Sequence, residues 1–190
     1  MAIPKIIHYC WFGKNEMPLK EKECVAGWKK FYPDYEFKIW NEDNFDYNKC
    51  IYARQAYERG YYAFVSDYVR AKVLYEYGGI YLDTDVKIIK KLPNVPEKGF
   101  LGFERRKFIG TAVMAAEPES ELIAELLDYY EQHEFVQQKG YIDSIANVSI
   151  LTDICRRKGL IHDGRKQKIE GFEIFSRELF YPKKLNENTF

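Results

Sequence analysis

Apolar positions along this chain recur in two rhythms that take turns. Short apolar runs at residues 6–11 and 35–41 predict strands, with a helix over 20–31 between them. Helical patterning fills the stretch from 47 to 77. There Val69, Val73 and Tyr77 recur at i, i+4 and i+8 as one buried stripe, Ser66 has the chemistry of an N-cap, and Gly78 supplies the stop. A strand over 80–83 follows, then extended chain over 86–89 and strands over 100–103 and 111–116. A helix over 120–135 is capped by Ser120, with Leu122, Ile123, Leu126, Leu127 and Tyr130 as its core-facing stripe. A shorter helix over 147–158 ends at Gly159, and strand and loop complete the chain. This βαβα order predicts an α/β domain built on a mainly parallel sheet with helices on both faces. Its 190 residues fit one domain, with no internal repeat or low-complexity linker.

Where the long helical stretch gives way to the strand, the chain reads Ser66-Asp67-Tyr68-Val69-Arg70, then Tyr77-Gly78-Gly79-Ile80-Tyr81-Leu82-Asp83-Thr84-Asp85. Alternate residues of an extended segment share a face, so Tyr81, Asp83 and Asp85 point one way and Ile80, Leu82, Thr84 and Val86 the other. Two carboxylates converging in a cleft repel one another. A divalent cation lets both stay ionised, and oxygen donors select a hard one, Mn2+ or Mg2+. Asp67 and Arg70 at i, i+3 are neighbours on the helix surface. They form either a local ion pair of small value or a polar clamp for sugar hydroxyls beside the metal. In open α/β sheets, ligands sit at the carboxyl ends of strands, which puts the Trp11 loop and the Asp83–Asp85 turn at one rim.

These residues resemble the sugar-binding region of the family-32 glycosyltransferases, a group with capsular and lipopolysaccharide transferases that is related to the glucosylating clostridial toxins. The opening Ile3-Pro4-Lys5-Ile6-Ile7-His8-Tyr9-Cys10-Trp11-Phe12-Gly13 resembles that family's first strand and loop, and residues 28–40 its second unit. Weaker similarity continues through Gly110-Thr111-Ala112 and Asn147. The resemblance implies a GT-A-like (Rossmann-like) fold. It also implies metal-dependent transfer, with retention, from a nucleotide-diphosphate sugar, with UDP as the expected nucleotide. The acceptor would be a glycan or lipid-linked glycan in surface polysaccharide synthesis. By carry-over, Asp85 ligates the metal, while Asp83 touches the ribose and reaches the metal through water; both are the catalytic pair. Tyr9 and Trp11 form the base pocket, Tyr81 lines it, and Asp67 and Arg70 hold the donor sugar. Asn147 contacts donor or acceptor, or else caps its helix. The Trp11 ring stacks on the base, or packs as core. Family members continue past an Asn-x-Asn-Thr-like segment into a His- and Trp-containing tail. This sequence stops at Asn186-Glu187-Asn188-Thr189-Phe190, so weak metal affinity and low turnover are expected of it.

Composition trims the alternatives. With 46% hydrophobic and 17% aromatic residues the chain can bury a core, and 29 basic against 29 acidic residues give no polyanion-binding surplus, so nucleic acid is not an expected partner. Cys10, Cys24, Cys50 and Cys155 lack paired spacing, which reads as reduced thiols in a cytoplasmic protein. No signal peptide or membrane-spanning run is visible. The run 103–108 holds Arg105, Arg106 and Lys107 between two phenylalanines. It reads as a solvated loop, or as a contact for an anionic lipid-linked acceptor at the inner face of a membrane. His8 lies in an apolar strand and reads as a satisfied core histidine, whereas His133 and His162 read as surface residues. A phosphate-cradling loop would need more glycine than Trp11-Phe12-Gly13-Lys14 has, which disfavours nucleotidyl transfer. The remaining alternative is a nucleotide-sugar-binding module without turnover.

Overall fold

The computed structural model describes residues 3–92, 96–105, 107–137 and 140–182, so Arg106 and the C-terminal residues 183–190 lie outside the described residues. The elements run β1 (Ile6–Cys10), α1 (Leu19–Phe31), β2 (Glu36–Trp40), a 3-10 turn (Tyr47–Lys49), α2 (Ile51–Glu58) and α3 (Tyr62–Tyr77). Then come β3 (Gly79–Leu82), β4 (Gly99–Arg105), β5 (Phe108–Ala116), α4 (Glu121–Gln132), α5 (Asn147–Arg157), β6 (Gln167–Ile169), β7 (Phe172–Phe175) and α6 (Arg177–Phe180). Among the described residues the strands form one sheet in the order β2-β1-β3-β5-β4-β7-β6. The expected parallel pairing holds for β1 with β2, β1 with β3 and β4 with β7; β5 runs antiparallel to both its neighbours, as β6 does to β7. The α/β class therefore stands, with antiparallel hairpins inserted beyond β3.

Two apolar cores lie on the two faces of this sheet. On one face Tyr81, Leu101 and Met114 pack with Val69 and Val73 of α3, Leu126 of α4 and Ile150 of α5. On the other, Ile7, Ile80, Leu82 and Phe100 pack with Trp28 and Tyr32 from α1 and its end, and with Phe180 of α6. Strand alternation in β3 explains the split, since Tyr81 belongs to one core and Ile80 and Leu82 to the other. The stripe of α4 is buried in full, as its spacing requires.

Two local expectations change. Ser66 is not a cap, because α3 starts four residues earlier; its hydroxyl donates back to the Tyr62 carbonyl at 3.1 Å. Four residues from Arg70, it belongs to a helical face that the short cap signal obscures. Tyr77 leaves the buried stripe at 40% exposure, and its ring lies beside Trp40 and beneath Lys38. The chain over 86–89, expected as extended, joins no strand of the sheet. That segment is tied instead to α1, where the Trp28 indole N–H donates to the Val86 carbonyl at 2.7 Å.

The turn from α3 into β3 needs both its glycines. Gly78 ends the helix at φ 62° with its N–H on the Leu74 carbonyl, and Gly79 follows at φ 103°. A Cβ on Gly79 would lie 2.7 Å from the Ile6 carbonyl oxygen. His8 seals the joint, with Nε2–H donating to the Gly78 carbonyl at 2.8 Å and Nδ1 accepting from the Trp40 indole at 3.1 Å. Fully buried and so committed, the imidazole is neutral, its pKa pushed down by burial to about 4. Gly79→Ala should destabilise the fold by on the order of 2 kcal/mol, seen in urea unfolding as a lower midpoint at unchanged slope.

Candidate active site

Parallel pairing of β1 with β3 puts their carboxyl ends side by side, and a pocket of about 430 Å³ opens there. Its walls come from the loop after β1 (Trp11, Phe12, Asn15), from α3 (Tyr62, Ser66, Arg70), and from the end of β3 and its turn (Tyr81, Asp83, Thr84, Asp85). β3 stops at Leu82, so the acidic pair converges through a turn, closed by the Val86 N–H on the Asp83 carbonyl, rather than through continued extension. The Asp83 N–H donates to the Ala112 carbonyl of β5, which pins the first carboxylate to the sheet.

Arg70 organises the floor. Its side chain is 6% exposed, and its guanidinium pairs with Asp67 Oδ1 at 2.9 Å and Asp83 Oδ1 at 3.3 Å. It also donates to the carbonyls of Thr111 (2.8 Å) and Ser66 (3.3 Å) and lies 4.7 Å over the Tyr81 ring. A buried cation is tolerated only with such complete partnering. The chain of bonds runs on: the Thr111 hydroxyl donates to Asn147 Oδ1 at 2.7 Å, the Asn147 amide donates to Asp67 Oδ1 at 2.6 Å, and the Tyr81 hydroxyl donates to Asp83 Oδ1 at 3.0 Å. Four elements, α3, β3, β5 and α5, are thus joined by one polar network. The i, i+3 pair is far from a solvated surface contact.

Burial pushes the Asp67 carboxyl up to about 6, with the nearby Asp83 charge adding to the rise and Arg70 and the Asn147 bond opposing it. Burial pulls Arg70 down, but Asp83 and Asp67 outweigh it and hold the guanidinium charged.

Of the residues expected at the site, Trp11, Arg70, Tyr81, Asp83 and Asp85 reach the pocket wall. The Trp11 indole N–H donates to the Asn15 carbonyl at 2.7 Å and the ring lies in the wall, outside both cores. Asp67 and Asn147 lie behind Arg70 and act on it. Asn147 is the first residue of α5, whose cap position is Ala146, so its side chain serves the network and not the helix end. Tyr9 lies elsewhere: alternation in β1 turns its ring to the opposite face, edge-on to Trp28. Sequence reasoning missed Tyr62, Ser66, Thr111 and Glu42. Tyr62, Ser66 and Arg70 recur every four residues along α3, a polar stripe that was there to be read. Glu42 accepts from the Gly13 N–H at 2.6 Å and from the Tyr57 hydroxyl at 2.9 Å, clamping the Trp11 loop.

The residues present fit a hard divalent cation. Arg70 and Tyr81 both engage Oδ1 of Asp83, and Asp85 is exposed without an ion pair among the described residues. No group of three or more acidic, His or Cys donors gathers among the described residues. Two carboxylates suit a cation that keeps waters and takes its other oxygens from a diphosphate.

The sheet order and its flanking helices make an α/β fold of the GT-A-like type. Residues 18–101 match the family model described as glycosyltransferase sugar-binding region containing DXD motif. Inositol phosphoceramide mannosyltransferase 3 of Schizosaccharomyces pombe is 39% identical over 95 residues, covering 45% of this chain and 25% of that protein. Lactosylceramide 4-alpha-galactosyltransferase of Rattus norvegicus is 29% identical over 119 residues, covering 62% of this chain and 31% of that protein. The chain therefore spans about a quarter to a third of these relatives' length. Among solved structures, the PaToxG glycosyltransferase superposes with a TM-score of 0.65 at 18% identity, over 83% of this chain and 69% of that one, a likeness of fold.

Asp67 and His8 oppose one another in the pH dependence of stability. An acid whose pKa is raised on folding contributes stability that is lost as pH rises from its unfolded value near 4 through about 6; a histidine whose pKa is lowered to about 4 contributes stability that grows over the same window. Removing the first exposes the second. In Asp67→Asn the unfolding free energy should climb more steeply with pH across this window than in the parent, which chemical denaturation at its two ends will show.

Proposed function

We propose that the chain transfers a glycosyl group from a nucleotide-diphosphate sugar, a UDP-sugar in the first instance, to a hydroxyl of a glycan or lipid-linked glycan. The observation that carries this reading is the pocket in which Asp83 and Asp85 face Trp11 and Arg70 across the carboxyl ends of β1 and β3. An indole at one end suits a nucleobase, with stacking worth about 1–3 kcal/mol. Paired carboxylates suit the metal-bound diphosphate, and the Arg70 floor beside Ser66 suits sugar hydroxyls. The two named relatives act, by their names, on ceramide-linked acceptors, which favours a lipid-linked acceptor, and the family resemblance adds surface polysaccharide assembly.

Asp83 and Asp85 would hold Mn2+ or Mg2+, which when bound neutralises charge on the leaving diphosphate. Arg70, fixed on every side, orients the Asp83 carboxylate and keeps a positive charge under the reacting sugar. Tyr81 holds the same carboxylate by its hydroxyl, and the clamped Trp11 loop excludes water from the base end. Asp83 and Asp85 are the only carboxylates in the pocket wall among the described residues, and both already have donor roles. With no third carboxylate in the wall among the described residues to act as a nucleophile, same-face displacement is favoured: the bond from the anomeric carbon to phosphate breaks, the acceptor oxygen bonds to that carbon, and the departing phosphate oxygen takes the acceptor proton. A binding module without turnover is the second reading, and product formation separates the two.

Thermal unfolding with UDP-, GDP- and CDP-sugars, each with and without manganese, tests the donor site. One nucleotide class at about 100 times its Kd should stabilise the fold by about 2.7 kcal/mol, in a manganese-dependent way that Asp85→Ala abolishes. Absence of any shift would sink the proposal. The displacement route predicts no mass increase of the protein by one sugar residue when it is incubated with a slowly reacting fluorinated donor. A trapped adduct would replace that route with a double displacement.

A further inference from the structure

A second cavity, of about 450 Å³, lies on the other face of the sheet from the donor pocket. Its floor is apolar and closed: Ile80 and Leu82 of β3, Phe100 of β4 and Val113 of β5 are each at most 6% exposed. The segment 86–92 crosses over it as a strap held at both ends. The Trp28 indole bonds the Val86 carbonyl, and the Leu92 N–H donates to the Tyr32 hydroxyl at 3.3 Å. Along the strap the exposed side chains alternate in kind. Lys87, Lys90 and Lys91 are basic, while Ile89 at 76% exposure faces outward as bare apolar surface, as does Leu179 of α6 at 46% across the opening.

An apolar space of this size falls in the range of small-molecule sites, and protein interiors seldom leave such a volume unfilled. The charge at its mouth is one-sided. Three lysines stand against one acid, Glu178, and neither Lys87 nor Lys90 forms an ion pair among the described residues. We infer that this cavity takes one alkyl chain of a phosphate-bearing membrane lipid, with the phosphate at Lys87 and Lys90 and the chain lying on Leu82, Phe100 and Val113. Charge complementarity selects an anionic headgroup, and the exposed Ile89 and Leu179 continue the apolar path into a bilayer surface. The site is independent of the donor pocket, which lies on the other side of β3.

Dodecyl phosphate, below its micellar concentration, is the probe, with binding followed by calorimetry and by melting temperature. The parent protein should bind it, and dodecyltrimethylammonium and inorganic phosphate should not. Lys87→Glu with Lys90→Glu should weaken binding about tenfold or more without loss of fold. Ile88→Trp, which places an indole in the cavity, should abolish it. Vesicles of phosphatidylcholine containing phosphatidate should sediment the parent protein and neither variant. Failure of the parent to bind dodecyl phosphate overturns the inference. So does equal affinity for the cationic amphiphile, or vesicle binding that survives Ile88→Trp in a folded variant, since surface attraction alone would then suffice. The manganese-dependent shift with nucleotide-sugars, read on the same samples, reports the donor pocket separately, so either site can fail without the other.

Discussion

One buried guanidinium holds the working end of this molecule together. Arg70 on α3 reaches the helix's own turn through Ser66 and Asp67, the next strand through Asp83, and the strand beyond through the Thr111 carbonyl. A cation so far from water has a large desolvation cost, which the two carboxylates offset only while their geometry is kept. Removing the guanidinium would leave two carboxylates close together with no countercharge. The arrangement is therefore rigid by necessity, and the rigidity is delivered where a ligand would need it, at the Asp83 carboxylate.

The sheet explains why that carboxylate is within reach. β3 is short, fully buried and flanked by β1 and β5, and it contributes alternate residues to the two cores. Tyr81 goes to the α3 face beside Arg70, and Leu82 goes to the α1 face. The two glycines before the strand allow the helix to fold straight back onto it. His8, neutral and bonded at both nitrogens, fills the corner that this reversal leaves.

Much of this was legible in the chain, and the reasons are local. The α/β order followed from alternating periods, and the acidic pair stood out because an apolar strand ends on it after a Gly-Gly turn. The stripe of α4 was fixed by spacing alone. What sequence could not supply was contact across long separations. Arg70 meets Thr111 41 positions away, and Asp67 meets Asn147 80 positions away, so a pair that reads as a surface i, i+3 contact becomes the centre of a buried network. Tyr9 shows the opposite failure. It adjoins the loop that carries Trp11, but the pleat of β1 sends it to the other face, against Trp28. Ser66 misled because a serine has the same chemistry at a helix start and in its middle, where it bonds back one turn.

Glu42, outside the pocket wall, fixes the loop that carries Trp11. Burial works against its charge, but the Gly13 N–H and the Tyr57 hydroxyl outweigh that and hold its carboxyl below the usual range. Gly13 itself, at φ 103° with the Tyr62 ring where a Cβ would be, leaves the loop no easy alternative path. The indole end of the pocket is thus ordered when the chain folds, and ligand ordering adds little to its entropic cost on binding. In mildly acidic solution Asp67 gains its proton while Glu42 keeps its charge. The two acids then answer a drop in pH differently: the clamp on the Trp11 loop persists, while the charge balance around Arg70 is reset.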